Sequence, residues 1–295
     1  RPDRVVVLGD RFEIMVAAIA ATIARIPIAH LHGGEATEGL IDEPIRHSVT
    51  KMSHLHFVAA EEYRNRVIQL GEHPSTVFNV GGLGVDNILK LDLLSREELE
   101  KSLSFKLGSK NILVTFHPVT LENKTSGMQM GELLSALDKL IDCKIIFTMP
   151  NADTDGREIF HLIESFCRRN ENAVAFTSLG QIRYLSCLKH VDMVIGNSSS
   201  GLAEVPSFKI PTINIGDRQR GRMKADSVID CEPTEKEISE AITKAISKKF
   251  EESCKHAVNP YGTGGASELI VHKIEETDFK NLLKKQFYDL PNEVN

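Results

Sequence analysis

Short apolar runs rich in valine and isoleucine alternate along most of the chain with longer stretches of helical spacing. The first run, RVVVLGD at residues 4–10, is followed at 11–25 by an alanine-rich stretch whose apolar residues recur at helical intervals. Short β-branched runs are typical of strands buried on both faces. Strands that alternate with helices predict parallel sheets with right-handed crossovers. Further strand-like runs occupy residues 27–33, 54–60, 75–84, 110–118, 143–151, 191–197 and 211–217.

The alternation is interrupted at residues 86–110, which are charged, helical in spacing and without a strand signal. This interruption predicts two successive Rossmann-like α/β domains with parallel sheets, and a ligand in the cleft between them. The predicted bounds are 1–90 for an N-terminal domain with acid/base residues, 91–108 for a connector, 109–265 for a C-terminal ligand-binding domain, and 266–295 for a C-terminal helix and tail. Near the end of the second domain, Thr234 and Glu237 predict a helix that begins with a capping box.

The chain has 295 residues, of which 41% are hydrophobic and 26% charged, as in a soluble globular protein with a substantial core. The net charge of −6 argues against a nucleic-acid partner, because phosphate neutralisation needs clustered Lys and Arg. No apolar stretch approaches the roughly 20 residues that span a bilayer, so no membrane partner is expected. Five scattered cysteines without a CxxC pair predict reduced thiols in a cytoplasmic protein.

Polar residues stand where several predicted strands end. Ligands of open parallel sheets bind at the carboxyl ends of the strands, so these positions are candidate site residues. A strand can also end in polar residues for structural reasons alone, which explains each position singly but explains the whole set poorly. The positions are Asp10 and Arg11, His117, Asn151 and Asp153, the run GNSSSG at 196–201, and Arg218.

The stretch GNSSSGLAE at residues 196–204 follows an apolar strand and predicts the start of a helix. Ser198 and Ser199 are compatible with helix capping, and also with binding a phosphate at the helix N-terminus. Glu204 is predicted about two turns along that helix, where it could accept ribose hydroxyls or lie exposed. Arg218 could neutralise the same phosphates, and His117 either faces the cleft or is a core histidine.

The stretch IAHLHGGEATEGLIDE at residues 28–43 combines histidines and carboxylates around two glycines. A metal site, an acid/base site and a solvated loop are the three interpretations. His30, His32 and Glu35 lack the spacing of a known zinc motif, so we rank metal well below acid/base use and predict no metal. His54 and His56 begin a strand and are expected to be structural. The acid/base candidates are Asp10, His32, Glu35, Asp42, Glu43 and His47.

The motifs GDRFE, HLHGGE, IDEPIRHSVTKMSH, HPVT, MPNADTDG, GNSSSGLAEVP, PTINIGDRQRGR and NPYGTGGAS occur in that order. Together they closely resemble the UDP-N-acetylglucosamine 2-epimerases over residues 1 to about 272. GDR in place of GDT, together with IDE, favours the hydrolysing branch. The resemblance implies a two-domain glycosyltransferase-B-like fold and no cofactor. It also implies a UDP-sugar as substrate and a homodimer or homotetramer.

The same resemblance implies a reaction and assigns the residues. UDP would leave UDP-N-acetylglucosamine through a glycal intermediate, and addition of water would give N-acetylmannosamine, the sialic acid precursor, with inversion at carbon 2. Asp10 and Asp42 match family acid/base carboxylates, with Arg11 beside the first. The residues that match the substrate-binding positions are His117, Asn151, Ser198, Ser199, Glu204 and Arg218, and we add Asp153 and His47 as candidates.

The chain departs from the family pattern in two places. Many relatives carry a catalytic glutamate where this chain has His32, so either His32 transfers that proton, or Glu35 replaces the glutamate, or the sugar differs. The chain also opens almost directly on a strand without an initiator methionine. Because family members begin with further βα units, we expect the N-terminal domain to be incomplete.

Three alternatives to this function stay open at the level of the sequence. The same chemistry could act on a UDP-2,4-diacetamido-trideoxy sugar, for a legionaminic-type nonulosonic acid. The chain could instead be a non-catalytic sensor of sugar nucleotides, although Asp10 and Asp42 argue against that. A glycosyltransferase on the same fold is the third alternative.

Overall fold

The computed structural model describes residues 1–38, 40–119, 125–150 and 156–291, apart from the side chain of Lys280. The chain divides into two compact units. The first consists of Arg1–Thr37, Ile41–Leu89 and Tyr261–Asn295, and the second of Glu38–Leu40 and Lys90–Pro260. Residues 91–108, predicted as a connector, therefore fall in the second unit, and residues 266–295 fall in the first.

Strands and helices alternate in the described residues. The strands are β1 (Val5–Leu8), β2 (Ile28–Leu31), β3 (Leu55–Val58), β4 (Val77–Asn79), β5 (Lys110–Thr115), β6 (Cys143–Thr148), β7 (Ala173–Phe176), β8 (Met193–Gly196), β9 (Thr212–Ile215) and β10 (Val228–Cys231). The α-helices are α1 (Phe12–Ile23), α2 (Asp42–Met52), α3 (Glu61–Gln69), α4 (Leu83–Lys90), α5 (Arg96–Leu103), α6 (Ser126–Asp138), α7 (Gly156–Arg169), α8 (Gly180–His190), α9 (Ser200–Ala203), α10 (Glu235–Ala245), α11 (Lys248–His256) and α12 (Ala266–Glu276). Short 3₁₀ helices occupy Pro74–Thr76, Val205–Phe208 and Phe279–Asn281.

The sheet of the first unit is parallel, with the strands in the order β1-β2-β3-β4. Helices cover both of its faces, which explains why the central strands are apolar on both sides. One face packs on α1 and α2 through Val7, Ala18, Ala21, Ile28 and Val49. The other face packs on α12 through Ala29, Leu31, Leu55, Phe57, Ala266 and Ile270.

The sheet of the second unit is also parallel, in the order β10-β9-β8-β5-β6-β7. The chain runs outward from β5 through β6 and β7, and then returns to the other side of β5 with β8, β9 and β10. The strand order therefore reverses between β5 and β8. Such a switch point opens a crevice at the carboxyl ends of the two strands, which is where open sheets bind ligands.

The predicted capping box at Thr234 is only half formed. The Thr234 side chain accepts the backbone N–H of Glu237 at 3.3 Å, but the Glu237 carboxylate accepts the N–H of Glu232 instead of that of Thr234. A complete capping box stands at Ser95 and Glu98, at the start of α5. A capping box needs both hydrogen bonds, and a competing N–H nearby decides whether the second one forms.

The C-terminal segment is held on the first unit. The Asp86 carboxylate accepts the N–H groups of Ala266 at 3.0 Å and Ser267 at 2.7 Å, and so caps α12. Further along, the Lys285 ammonium donates to the carbonyls of Lys51 and Ser53 at the end of α2, where the helix dipole favours a cation. Among the helices of the described ranges, none combines the length and apolarity that crossing a membrane requires.

Candidate active site

In the first unit, acid/base candidates gather at the carboxyl ends of β1 and β2 and at the start of α2. Asp10 and Arg11 follow β1, His32 and Glu35 follow β2, and Asp42 opens α2. Because β1 and β2 are neighbours in the sheet, their carboxyl ends bring residues distant in sequence together. The fold thus assembles the predicted acid/base set of the first unit.

Arg46 on α2 is the centre of this cluster, and the sequence did not identify it as a site residue. Its guanidinium is 1% exposed and pairs with the Asp10 carboxylate through both Nε and Nη2. It also donates to Glu43 at 2.6 Å, to the Thr37 hydroxyl at 2.7 Å and to the Glu35 carbonyl at 2.9 Å. A buried arginine needs such complete pairing. The available sequence signal was an arginine one helical turn after Glu43.

Glu43 is the second carboxylate that Arg46 holds. Burial alone would raise the pKa of Glu43. Hydrogen bonds from His47 and the Thr37 backbone N–H, together with the Arg46 charge, outweigh burial and lower this pKa to about 2. Glu43 is therefore a permanent anion that orients Arg46 and His47, and it is not suited to proton transfer near neutral pH.

Asp42 has the opposite environment. Burial raises the pKa of Asp42, and the negative charge of Asp10 raises it further, against the opposing charges of Arg11 and Arg46. Asp10, by contrast, is ion-paired with Arg46. Two neighbouring carboxyl groups with environments this different can act as one acid and one base. This difference between Asp10 and Asp42 is the feature of the first unit that is best suited to acid/base chemistry.

His32 is fixed by hydrogen bonds to both ring nitrogens. The backbone N–H of Leu83 donates to Nε2 at 3.3 Å, so the proton of the neutral ring lies on Nδ1, which donates to the Glu35 carboxylate at 2.9 Å. His32 also has the left-handed φ of +64°, uncommon for a residue other than glycine. Glu35 is 4% exposed. This arrangement orients Glu35 and occupies the Nε2 lone pair of His32.

His30 has a structural role, because both of its ring nitrogens contact other groups of the protein. Its Nε2 must donate to the Gly9 carbonyl at 2.9 Å, because a carbonyl only accepts, and its Nδ1 contacts the Thr50 hydroxyl at 3.1 Å. His56 lies fully buried with Nε2 on the Glu72 carboxylate at 2.9 Å. Within the described ranges, His, Cys, Asp and Glu form no group of three that could hold a metal ion.

In the second unit, candidate residues gather at the switch point between β5 and β8. His117 follows β5, and burial lowers its pKa to about 3, with Arg218 adding a smaller positive-charge effect. His117 is therefore neutral at physiological pH and can serve as a hydrogen-bonding group. The Arg218 side chain lies alongside, donating to the carbonyls of Asn197 at 3.1 Å and Pro118 at 3.3 Å.

The serine run that follows β8 does not cap a helix with its side chains. Ser199 is the N-cap of α9 but makes no side-chain capping bond, and the Ser198 hydroxyl accepts only a long contact of 3.4 Å from the Ser200 N–H. Gly196, with φ of +143°, sits so close to the Thr115 carbonyl that any Cβ would collide with it. The loop is therefore shaped by close backbone approach, as phosphate-binding loops are.

The helix predicted to carry Glu204 two turns from its start is only one turn long, so that prediction was wrong. α9 ends at Ala203, and a 3₁₀ helix begins at Val205. Pro206 explains this, since it lacks an N–H and disfavours α conformation in the residue before it. Glu204 lies just beyond α9, near enough to Tyr184 for its charge to add to the burial that raises the pKa of that phenol. Asn151 and Asp153 lie outside the described residues.

Comparison with known proteins identifies relatives along nearly the whole chain. A family model described as UDP-N-acetylglucosamine 2-epimerase matches residues 1–275. The GDP/UDP-N,N'-diacetylbacillosamine 2-epimerase (hydrolyzing) of Campylobacter jejuni is 42% identical over 292 residues, 98% of this chain and 76% of the relative. The polysialic acid biosynthesis protein P7 of Escherichia coli is 44% identical over 297 residues, 98% of this chain and 74% of the relative. The UDP-N,N'-diacetylbacillosamine 2-epimerase (hydrolyzing) of Legionella pneumophila is 36% identical over 267 residues, 90% and 69% of the two chains.

Solved structures share the fold. The UDP-GlcNAc 2-epimerase of Neisseria meningitidis bound to UDP-GlcNAc superposes with a TM-score of 0.82 at 20% identity, covering 94% of this chain and 77% of the other. The S. aureus MnaA–UDP co-structure superposes with a TM-score of 0.79 at 18% identity, covering 98% and 78%. These matches confirm the predicted fold class of two Rossmann-like units with parallel sheets, of the glycosyltransferase-B-like type.

Proposed function

Because this chain belongs to the UDP-N-acetylglucosamine 2-epimerase family, we propose that it is a hydrolysing 2-epimerase of a UDP-linked 2-acetamido sugar. UDP-N-acetylglucosamine is the first candidate substrate, with N-acetylmannosamine for sialic acid synthesis as the product. A UDP-2,4-diacetamido-trideoxy sugar is the second candidate. The names of the C. jejuni and L. pneumophila relatives favour that second substrate.

The main support for this proposal is that two neighbouring carboxyl groups have different surroundings. Asp10 is ion-paired with Arg46, whereas the pKa of Asp42 is raised. Removal of the proton at carbon 2 needs a base, and Asp10, which is ion-paired with the buried Arg46, is proposed to take that proton. Asp42, whose pKa is raised by burial and by the charge of Asp10, is proposed to be the group that returns a proton in the opposite step. The C1–O bond to UDP breaks as the carbon 2 proton leaves, which gives a glycal. Water then adds its oxygen to carbon 1, and a proton returns to carbon 2 from the opposite face.

Glu35 is proposed to act in place of the glutamate that many relatives carry where this chain has His32. The His32 Nε2 already accepts the Leu83 N–H, so taking a substrate proton there would break that bond. The Glu35 carboxylate is held by the Nδ1 proton of His32 at 2.9 Å. His32 thus orients Glu35, and Glu35 exchanges the proton. Glu35→Gln should therefore reduce turnover more than His32→Asn.

The second unit is proposed to bind the nucleotide. Ser198 and Ser199 contribute hydroxyls and backbone N–H groups to the diphosphate, and Arg218 contributes a positive charge beside neutral His117. Glu204 is proposed to accept the ribose hydroxyls. Asn151 and Asp153 complete the proposed set on the family resemblance alone.

A side-by-side assay in deuterated water tests the proposal. The full-length protein is incubated with UDP-N-acetylglucosamine and, separately, with the UDP-2,4-diacetamido sugar, and both reactions are followed by NMR. We expect UDP release and a free sugar inverted at carbon 2 that carries deuterium there, from one of the two substrates. Asp10→Asn should abolish both signals. The proposal is wrong if neither nucleotide releases UDP, or if the released sugar keeps its proton at carbon 2.

The same assay also distinguishes the two alternative functions, a sugar-nucleotide sensor and a glycosyltransferase. Binding of UDP without turnover, unchanged in Asp10→Asn, would identify a sensor. Transfer of the sugar to an added acceptor, without any free epimer, would identify a glycosyltransferase.

A further inference from the structure

Asn197 joins the strand ends at the switch point of the second unit. Its side-chain Oδ1 accepts the backbone N–H of His117 at 2.7 Å, and its Nδ2 donates to the carbonyl of the same residue at 2.8 Å. Its own backbone N–H donates to the Thr115 carbonyl at 3.1 Å. Asn197 is 1% exposed. One buried amide therefore fixes the loop after β5 against the loop after β8.

The loop after β9 is attached to the same residue. The Asn197 carbonyl accepts the Gln219 Nε2 at 2.8 Å and the Arg218 Nη1 at 3.1 Å. Only a donor can face that carbonyl, which settles the orientation of the Gln219 amide. The Gln219 side chain is 1% exposed, and among the described residues no donor reaches its Oε1. A buried acceptor without a donor costs stability, so its presence calls for a reason other than stability.

We infer that Asn197 and Gln219 are positioning residues that set the spacing between the serine run and Arg218. This inference rests on the proposed nucleotide site. The Asn197 carbonyl belongs to the planar peptide group that joins Asn197 to Ser198, so the donors on that carbonyl help to fix the positions of Ser198 and Ser199. The same carbonyl holds the Arg218 guanidinium. Loss of the Gln219 donor would free both loops to drift apart, and the diphosphate groups would lose simultaneous contacts with each.

At Gln219, one substitution can separate an effect on nucleotide affinity from an effect on stability. Gln219→Met keeps the shape of the side chain but removes its Nε2 donor and its unpartnered Oε1. Removal of that buried acceptor offsets loss of the donor bond, so the unfolding midpoint should stay close to wild type. A purely structural role predicts the reverse, with a lower midpoint and unchanged nucleotide affinity.

Asn111 provides a matched control at the opposite end of the same sheet. Its side chain bridges one residue in the same way, accepting the Gly108 N–H at 2.8 Å and donating to the Gly108 carbonyl at 3.2 Å, and it is 2% exposed. In Asn111→Asp and in Asn197→Asp, a carboxylate oxygen replaces the donor and faces a carbonyl. Both changes should destabilise the unit to a similar degree, but only the second should disturb the nucleotide.

Isothermal titration with UDP, alongside thermal unfolding, tests the inference. We expect Gln219→Met to bind UDP about tenfold more weakly at an unchanged midpoint, which is the scale of one lost hydrogen bond in the positioning of a charged ligand. Asn197→Asp should bind at least as weakly as Gln219→Met, and Asn111→Asp should bind like wild type.

The outcomes distinguish this inference from the proposed function. A wild-type chain that does not bind UDP contradicts the nucleotide site and with it the proposed function. A wild-type chain that binds UDP, with Gln219→Met and Asn197→Asp binding equally well, overturns the positioning role alone. Equal weakening in Asn111→Asp and Asn197→Asp would also overturn it, because the loss would then reflect general destabilisation.

Discussion

At the scale of single residues, the first unit gives neighbouring carboxyl groups different tasks through their surroundings. Glu43, with donors from Thr37, Arg46 and His47, is kept ionised, and Asp10 is paired with the buried guanidinium of Arg46. For Asp42, burial and the charge of Asp10 outweigh the opposing charges of Arg11 and Arg46, so its pKa is raised. Repulsion between like charges held close together destabilises the folded state, so a mutation that removes one of the charges should stabilise the protein.

Asp42→Asn should lower activity and raise stability at the same time. A carboxyl group whose pKa is raised by folding stabilises the protein only while protonated, and this contribution is lost as the pH rises through the folded pKa. At neutral pH the charge therefore costs stability, and the amide removes it. We expect a turnover lower by about 10² to 10⁴-fold, as for loss of a general acid or base, with a slightly higher unfolding midpoint.

Turnover assays and thermal unfolding of the same preparations measure the two effects. Asp92→Asn, at an exposed aspartate of the second unit, is the control and should change neither quantity. A lower midpoint in Asp42→Asn at neutral pH would contradict the proposed charge repulsion.

At the scale of elements, the site depends on what happens just after a strand ends. β8 ends in Gly196, whose φ of +143° and contact with the Thr115 carbonyl leave no room for a side chain. α9 stops after a single turn because of Pro206. These backbone features help to place Asn197 and the serines beside the end of β5.

Gly196→Ala should therefore destabilise the second unit severely, on the order of 3 kcal/mol or more, since the new Cβ strains φ and collides with backbone. Gly131→Ala is the matched control. Gly131 lies inside α6 with no atom within 4 Å of an added Cβ, so this change should stabilise by up to about 1 kcal/mol. Denaturant unfolding of both variants gives the comparison. Similar unfolding free energies for the two variants would show that the backbone at Gly196 can relax.

At the scale of the whole molecule, neutral histidines that are buried or half-buried make the stability of the protein sensitive to acid. Burial lowers the pKa of His30 to about 4, and His54 likewise to about 4, while His117 is lowered to about 3. Between the ordinary histidine pKa of 6.5 and these folded values, the unfolded chain binds more protons than the folded one. Stability is therefore fully present above pH 6.5 and falls as the pH drops toward 4.

His30 alone should account for a loss of about 3 kcal/mol of unfolding free energy across that range, at 1.36 kcal/mol for each pKa unit. Urea unfolding at a series of pH values from 7.5 to 4.5 measures the slope. His30→Gln should reduce the slope, and His256→Gln, at an exposed position, should leave it unchanged. If the unfolding free energy depends on pH in the same way in His30→Gln and in wild type, His30 does not cause the loss of stability in acid.

The family and the fold class were predictable from the sequence, and both are confirmed. Strand and helix patterns depend on local periodicity, and the ordered motifs are local strings of residues. Arg46 and Gln219 were not identified as site residues in the sequence, because nothing in their neighbourhood shows that they would be buried and meet partners 36 and 22 positions away. Asn197 was included only as a member of the GNSSSG run, and its bonds to His117, 80 positions away, were not predictable. The roles assigned to the site residues stay predictions.

By itself, the sequence determined which segments form strands and helices, and which polar residues stand at strand ends, since both follow from short-range spacing. Only the tertiary structure decided which of those ends become neighbours. It also decided which carboxylate shares a buried arginine, and therefore which groups are held ionised and which have a raised pKa. A pKa depends on burial and on charges a few ångströms away in space, and those distances exist only once the chain has folded.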